Sequence, residues 1–382
     1  MKKVYADNSS SSFPKAPGVS DAIKDYLDNC GCNVSRGGYE SSYNVALEIL
    51  STRKLLCKQF NFNKSRNVIF TPGITYSLNM ILKGYLKEGD HVITTAMEHN
   101  GVMRPLHELL LRGVTYDIAS CGSDGSIDPV NITRHINSKT KAIVMTHASN
   151  VCGTILPVTD ISEICTKHNI KLIVDSAQTA GVLDIDMSYI DALAFTCHKG
   201  LLAPQGLGGF LIKSDFAERI TPIITGGTGS QSHELTQPNI LPDKFEAGTM
   251  NIPAIIGLKK ALEYIDQIGV KTIYNKEMNL AEKFLYEISM IKNIRVIGKN
   301  GPSDRTAVIS LDFIDRDNAG IASVLDSDYG IMTRCGLHCA PTAHKALQTY
   351  PHGTVRFSFG HFNTLEDIDY IVASINDILK RG

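Results

Sequence analysis

Residues 171–209 read KLIVDSAQTAGVLDIDMSYIDALAFTCHKGLLAPQGLGG, and this stretch decides the fold class. Two short apolar runs, Lys171–Asp175 (KLIVD) and Ala192–Thr196 (ALAFT), each end in a polar residue. Working towards the N-terminus, similar runs recur at Ala142–Thr146 (AIVMT), His91–Thr94 (HVIT) and Asn67–Phe70 (NVIF), with helical patterns over Ser77–Tyr85 and Gly101–Leu111 between them. Gly209–Ile212 (GFLI) follows on the other side. Near-continuous apolar strands separated by helix-length segments predict an α/β fold with a mostly parallel sheet covered on both faces. The polar strand ends fall where open α/β sheets place their ligands.

After Pro253 the pattern changes. Ile255–Ile268 and Lys276–Ile288 carry apolar residues at helical spacing. Strands are expected at Ile294–Ile297, Ala307–Leu311 and Val355–Phe359, with helices at Ala319–Leu325 and Leu365–Leu379. The expected division is an N-terminal segment, 1–14, packing with a smaller α+β domain, 254–382, and a large domain, 15–253. Acidic and basic residues nearly cancel, at 39 and 38, and no basic run appears, so nucleic acid is not expected as a partner. No long apolar run predicts a membrane span, and MKKVYADNSSSSFPKAP lacks the apolar stretch of a signal peptide. Nine scattered cysteines read as reduced thiols, which suggests the cytoplasm.

Asp175 and Lys199 stand at the ends of neighbouring strand patterns. Pyridoxal phosphate needs that combination: an amine for a Schiff base and a carboxylate for the pyridinium nitrogen, which keeps the ring an electron sink. A strand-end Asp capping a turn beside a solvated Lys is the plainer reading of the pair alone. The neighbours add to it. Gly73-Ile74-Thr75 precedes a helical pattern and suits a phosphate, although Thr75 taken alone reads as a helix cap. His99, His198 and Asn150 follow strands at the same expected sheet edge; the two histidines also read as structural residues, and the Asn150 amide is placed to reach a phenolic oxygen. The glycines of Gln205–Gly209 lead into a strand and read as a turn.

The segments DNSSSSFPK, SRGGYE, TPGITYSLN, MEHN, THASNVCGT, VDSAQTAG, TCHKGLLAPQGLGG, FEAGTMN, RCGLHCAP and GTVRFSFGHFNTLEDID run in order from residue 7 to 369. In them the chain resembles the class V aminotransferase fold family, and within it the cysteine desulfurases and selenocysteine lyases. The resemblance implies the type I fold of pyridoxal-phosphate enzymes. Lys199 would carry the cofactor as a Schiff base and act as general base, Asp175 would pair with the ring nitrogen, and His99 would stack on the ring. Asn150 and Gln178 would bond around the phenolic oxygen, and Thr75, Thr196 and His198 would bind the phosphate. Thr249 would reach the phosphate of a neighbouring subunit, implying a homodimer with shared sites. Arg356, with Arg334 and Asn150 beside it, would hold the substrate carboxylate, which a planar guanidinium suits.

Cys339 falls where desulfurases carry the sulfur-accepting cysteine, so L-cysteine would yield alanine and a persulfide on Cys339. Nearby positive charge favours a thiolate, and Arg334 and His338 are the candidates to supply it. Cys335, His338, Cys339 and His344 lack the paired-ligand spacing of a structural zinc site, and no metal is expected. Cys30 and Cys32 read either as a sulfur relay or as part of an exposed loop. Only 13 residues, APTAHKALQTYPH, separate Cys339 from Gly353, as in the short-loop, Suf-like group, which implies a dedicated acceptor protein. The chain departs from the family pattern at Ser9–Ser12, Thr196, Met250, Cys335 and Leu337. These changes leave L-selenocysteine, and other chemistry on an amino acid, as alternatives. A non-catalytic scaffold is the remote one.

Overall fold

A computed structural model of the chain describes residues 2–34 and 37–381, so Ser35 and Arg36 of SRGGYE lie outside the described residues. The N-terminal pair Val4–Tyr5 forms β1. Seven strands follow: β2 (Val68–Thr71), β3 (His91–Thr95), β4 (Thr115–Ala119), β5 (Thr140–Thr146), β6 (Lys171–Asp175), β7 (Ala192–Thr196) and β8 (Gly208–Ile212). They pair in the order β2-β8-β7-β6-β5-β3-β4. All neighbours are parallel except β8, which runs antiparallel to both β2 and β7. Helices cover both faces, which is why these strands read as unbroken apolar runs. Val68, Ile93, Val144, Ile173 and Leu193 are all fully buried, each contributing about 1.5–3 kcal/mol of apolar burial. The strand of this sheet that the sequence reading missed, β4, is one of its two edges. Its TYDIA is half-exposed and carries a charge, as edge strands do.

The C-terminal part holds β9 (Ile294–Ile297), β10 (Val308–Phe313), β11 (Ile331–Met332), β12 (Arg334–Gly336) and β13 (Thr354–Ser358). Four of them form an antiparallel sheet in the order β12-β13-β10-β9, while β11 pairs in parallel with β1. Val4 and Ala6 lie in the same hydrophobic cluster as Phe284, Ile309, Phe357 and Ile371, so the N-terminal segment is built into this second core.

The expected boundary at 253 marks the start of a helix rather than a change of core. Helix Ile252–Ile268 begins where Asn251 accepts a hydrogen bond from the Ala254 N–H, with Pro253 in the first turn. Its apolar face, with Ile255, Leu258 and Leu262, belongs to the large sheet's cluster with Val45 and Ile49. The core changes within the next helix, Val270–Ser289, between Ile273 and Met278. Buried Arg305 then joins the two parts, donating to the carbonyls of Cys152 at 3.1 Å and Val308 at 2.8 Å. Among the described residues no helix is long and apolar enough to cross a membrane.

Candidate active site

The carboxyl ends of β6 and β7 lie side by side, with Asp175 paired to Ala194. The turn after β6 is tied to β7 by Ser176, whose hydroxyl and N–H both donate to the Ala194 carbonyl. Asp175 is buried and accepts from the Ala177 N–H at 2.8 Å. Burial raises its carboxyl, while that N–H and the nearby Lys199 pull it back. The turn carrying Lys199 packs directly on the turn carrying Gln178. A Cβ on Gly181 would sit 2.4 Å from the Gly200 carbonyl oxygen, and one on Gly200 would sit 2.5 Å from that of Ala180. The two glycines are what allow this approach, and so fix where Lys199 emerges. Burial lowers the Lys199 amine to about 8; Asp175 opposes that shift and Arg356 and Arg334 add to it.

His99 caps helix Asn100–Leu109. Its Nδ1 accepts from the Gly101 N–H at 2.9 Å, which leaves the ring proton on Nε2. Burial, then the charges of Lys199, Arg334 and Arg356, lowers this imidazole to about 4, so the ring is neutral at working pH. Directly before it lies Glu98, a residue that the sequence reading left without a role. Its Oε1 accepts from the Thr95 hydroxyl at 2.5 Å and the Thr146 N–H at 3.0 Å, bolting β3 to β5. Its Oε2 has no partner, and burial keeps the carboxyl protonated up to about 8. No periodicity could have singled it out, since its role depends on which strand ends become neighbours.

Helix Ile74–Tyr85 starts at Gly73 without a capping side chain, and the space a Cβ would fill at Gly73 is open. Thr75 stands exposed in this first turn, Thr196 is buried at the end of β7, and the buried Nδ1 of His198 has no partner. A free helix N-terminus with a hydroxyl suits a phosphate. Together with an amine at Lys199, a buried carboxyl at Asp175 and a flat neutral ring at His99, this donor set fits pyridoxal phosphate. Asn150 and Gln178 each give one amide N–H to the protein itself, to the His338 carbonyl at 2.8 Å and the Ser9 carbonyl at 3.1 Å.

Thr249 is not part of the Lys199 pocket. It lies exposed on a surface cavity with Thr71, Pro72 and Gly206. The segment that carries it is held to β2 by Glu246, which takes a two-pronged ion pair from buried Arg53 and the Phe70 N–H at 2.7 Å.

Facing this wall is the small sheet, where Arg334 on β12 pairs with Arg356 on β13. Arg356 is 1% exposed. It donates to the Asn150 carbonyl at 3.0 Å and to Asp7 Oδ1 and Ser10 Oγ, both at 2.8 Å, and keeps Nε unpartnered. Arg334 donates to Ser10 Oγ at 3.0 Å and reaches Cys339 Sγ at 3.7 Å. Cys339 is exposed and, with His338, adopts a left-handed backbone, φ 58° and 48°. Such residues cost about 1–3 kcal/mol each. Their carbonyls are anchored by Asn100 N–H at 2.8 Å and by Asn150, which fixes the turn over His99.

His338 does not supply the positive charge expected of it. Its ring is buried, Nε2 meets Thr354 Oγ1 at 3.1 Å, and burial lowers it to about 2, so the imidazole is neutral; Arg334 is the cation in contact with the sulfur, and the Arg356 charge also acts on Cys339. Cys335 is half-buried and burial raises its thiol. Cys30 and Cys32 are half-buried, with sulfurs 3.7 Å apart, after helix Val19–Asn29. Among the described residues no three His, Cys, Asp or Glu side chains converge as metal ligands.

Glu277 lines a cavity with Lys199, Gln178 and Ser9, and burial raises its carboxyl from 4.5 to about 8 against the His361 N–H and the Lys276 charge. A carboxyl raised on folding contributes its full stability below the unfolded value and loses it as pH climbs through the folded one. Glu277→Gln is therefore expected to melt with the parent near pH 4.5 and above it at pH 8, by a few kcal/mol. Thermal melts of both proteins at the two pH values check this; an unchanged difference would overturn it.

The family pattern described as "Aminotransferase class-V" matches residues 4–371. A probable cysteine desulfurase of Methanothermobacter thermautotrophicus is 30% identical over 99% of this chain and 95% of its own. One of Borreliella burgdorferi is 32% identical over 99% and 92%. Among solved structures, the apo cysteine desulfurase of Thermococcus onnurineus NA1 superposes with a TM-score of 0.92 at 28% identity, covering all of this chain and 95% of that one. Site geometry, sheet order and these likenesses lead to one assignment: the chain belongs to the aminotransferase class-V family.

Proposed function

We propose that the chain is a pyridoxal-phosphate-dependent L-cysteine desulfurase that yields L-alanine and a persulfide on Cys339. The observation that carries this reading is an exposed cysteine with Arg334 on its sulfur and its backbone carbonyl pinned to Asn100, beside His99, over the Lys199 wall. When bound, the cofactor supplies an electron sink that labilises the Cα proton of an amino acid. Lys199 would hold it and would take and return that proton; an amine lowered to about 8 suits both roles. Asp175 would pair with its ring nitrogen, His99 would supply the flat ring beside it, and Asn150 and Gln178, each with one amide N–H already given to the protein, would bond around its phenolic oxygen. Thr75, Thr196 and His198 would hold the phosphate.

Arg356, held by Asp7 and Ser10, would bind the substrate carboxylate, with Arg334 and Asn150 alongside. The Cys339 thiolate attacks the substrate sulfur. A sulfur–sulfur bond forms, the carbon–sulfur bond breaks, and its electron pair stays on carbon, which takes a proton to become alanine. We further read the enzyme as a homodimer in which Thr249 of one copy completes the phosphate site of the other, as its exposure allows. The Cys339 turn is short and is followed by the anchored helix Pro341–Ala346, so the persulfide stays at the site and an acceptor protein comes to it. All nine cysteines are free, which suits the cytoplasm.

The test is incubation of purified, cofactor-loaded protein with L-cysteine and a thiol reductant. Equal amounts of alanine and sulfide are expected. Sulfide with pyruvate would replace this reading by β-elimination, and turnover of L-selenocysteine alone would replace it by a selenium lyase.

A further inference from the structure

We propose that Ser10 is the positioning residue that couples the carboxylate clamp to the nucleophile: its one hydroxyl oxygen is shared by Arg356 and Arg334 and holds Arg334 on the sulfur of Cys339. The inference rests on the reading of Cys339 as the nucleophile, but its geometry does not. A hydroxyl has one proton to give and two lone pairs to offer. Ser10 uses all three, donating to Asp7 Oδ1 at 2.8 Å and accepting from Arg356 Nη2 at 2.8 Å and Arg334 Nη1 at 3.0 Å. Two guanidinium groups on adjacent strands would otherwise repel. Here one neutral oxygen bridges them and Asp7 compensates the charge.

The backbone around Ser10 is fixed independently of that hydroxyl. Ser9 N–H donates to Ser358 Oγ at 2.9 Å, Gln178 Nε2 donates to the Ser9 carbonyl, and Ser12 N–H donates to the His198 carbonyl at 2.8 Å. The serine stretch is thus bonded both to β13 and to the turns bearing Gln178 and Lys199. Removing the Ser10 hydroxyl leaves those anchors in place and takes away the shared acceptor together with its one donated bond, to Asp7. Arg334 then loses the group that aims its second nitrogen at Cys339 Sγ.

The experiment compares Ser10→Ala, Ser10→Thr and Arg334→Gln with the parent, all cofactor-loaded. Two readouts are taken: the rate of Cys339 alkylation by iodoacetamide at pH 7, followed by peptide mass, and kcat and KM for L-cysteine. Ser10→Ala is expected to slow alkylation and lower kcat/KM by about 10- to 100-fold, the range of one hydrogen bond to a charged group. Ser10→Thr keeps the hydroxyl and should stay near the parent. Adding Ser10→Ala to Arg334→Gln should slow alkylation no further, because both act through one contact. Parent-like alkylation in a folded Ser10→Ala protein, or additive effects in the double variant, would overturn the proposal. Alkylation is read without turnover. A parent that fails to desulfurate cysteine would therefore sink the proposed activity and leave this test standing.

Discussion

Cys339→Ala is expected to abolish the formation of alanine and sulfide from L-cysteine, a loss on the order of 10³-fold or more, the scale seen when a nucleophile is removed. The effect should be confined to the sulfur step. Cys339 makes its anchoring contact through its backbone carbonyl, to Asn100 N–H, and alanine retains that carbonyl. Alanine also has a Cβ, so the left-handed backbone at this position is no more strained than before. The cofactor wall, built on β3, β5, β6 and β7, does not involve the sulfur. The variant should therefore bind the cofactor and release the Cα proton of L-cysteine normally, measured as exchange of that proton with deuterated solvent, while producing neither alanine nor sulfide. Alanine and sulfide at the parent rate would show that the sulfur leaves without Cys339.

The sheet and the Asp175–Lys199 pair of the candidate site are legible in the sequence because they rest on short-range patterns. KLIVD and ALAFT are buried on both faces and so carry an unbroken apolar signature, and their bounds coincide with β6 and β7. Asp175 and Lys199 are readable because parallel strands deliver their polar ends to one edge. Half-exposed β4 and the two-residue β1 and β11 lack such a signature and exist only through their partners. The same holds for functional groups defined by long-range approach. Glu98 matters because β3 and β5 meet, and Ser10 because β12, β13 and the N-terminal segment converge. His338 shows the limit from the other side. Its position beside Cys339 suggested a cation, and only its burial against Thr354 shows that it carries no charge.

Lys199→Ala is expected to lower turnover by about 10³- to 10⁴-fold, near the upper range for loss of a general base. The fold should survive, because the close approach of the two turns is made by backbone at Gly181 and Gly200 rather than by the lysine side chain. The variant should fail to catalyse Cα proton exchange with solvent, and this separates it from Cys339→Ala, which keeps exchange and loses sulfur transfer. The pH dependence follows from the same burial. The amine must be neutral to accept a proton, and it is lowered from 10.5 to about 8, so the parent's proton-exchange rate should rise with pH and level off above about 8. An unperturbed lysine would carry that rise to the ordinary amine range. Arg356 and Arg334 add to the lowering, so Arg334→Gln should move the midpoint upward, since losing a nearby positive charge makes the ammonium easier to hold. A midpoint that stayed put or fell in Arg334→Gln would mean that the Arg334 charge does not act on the group that titrates in this step.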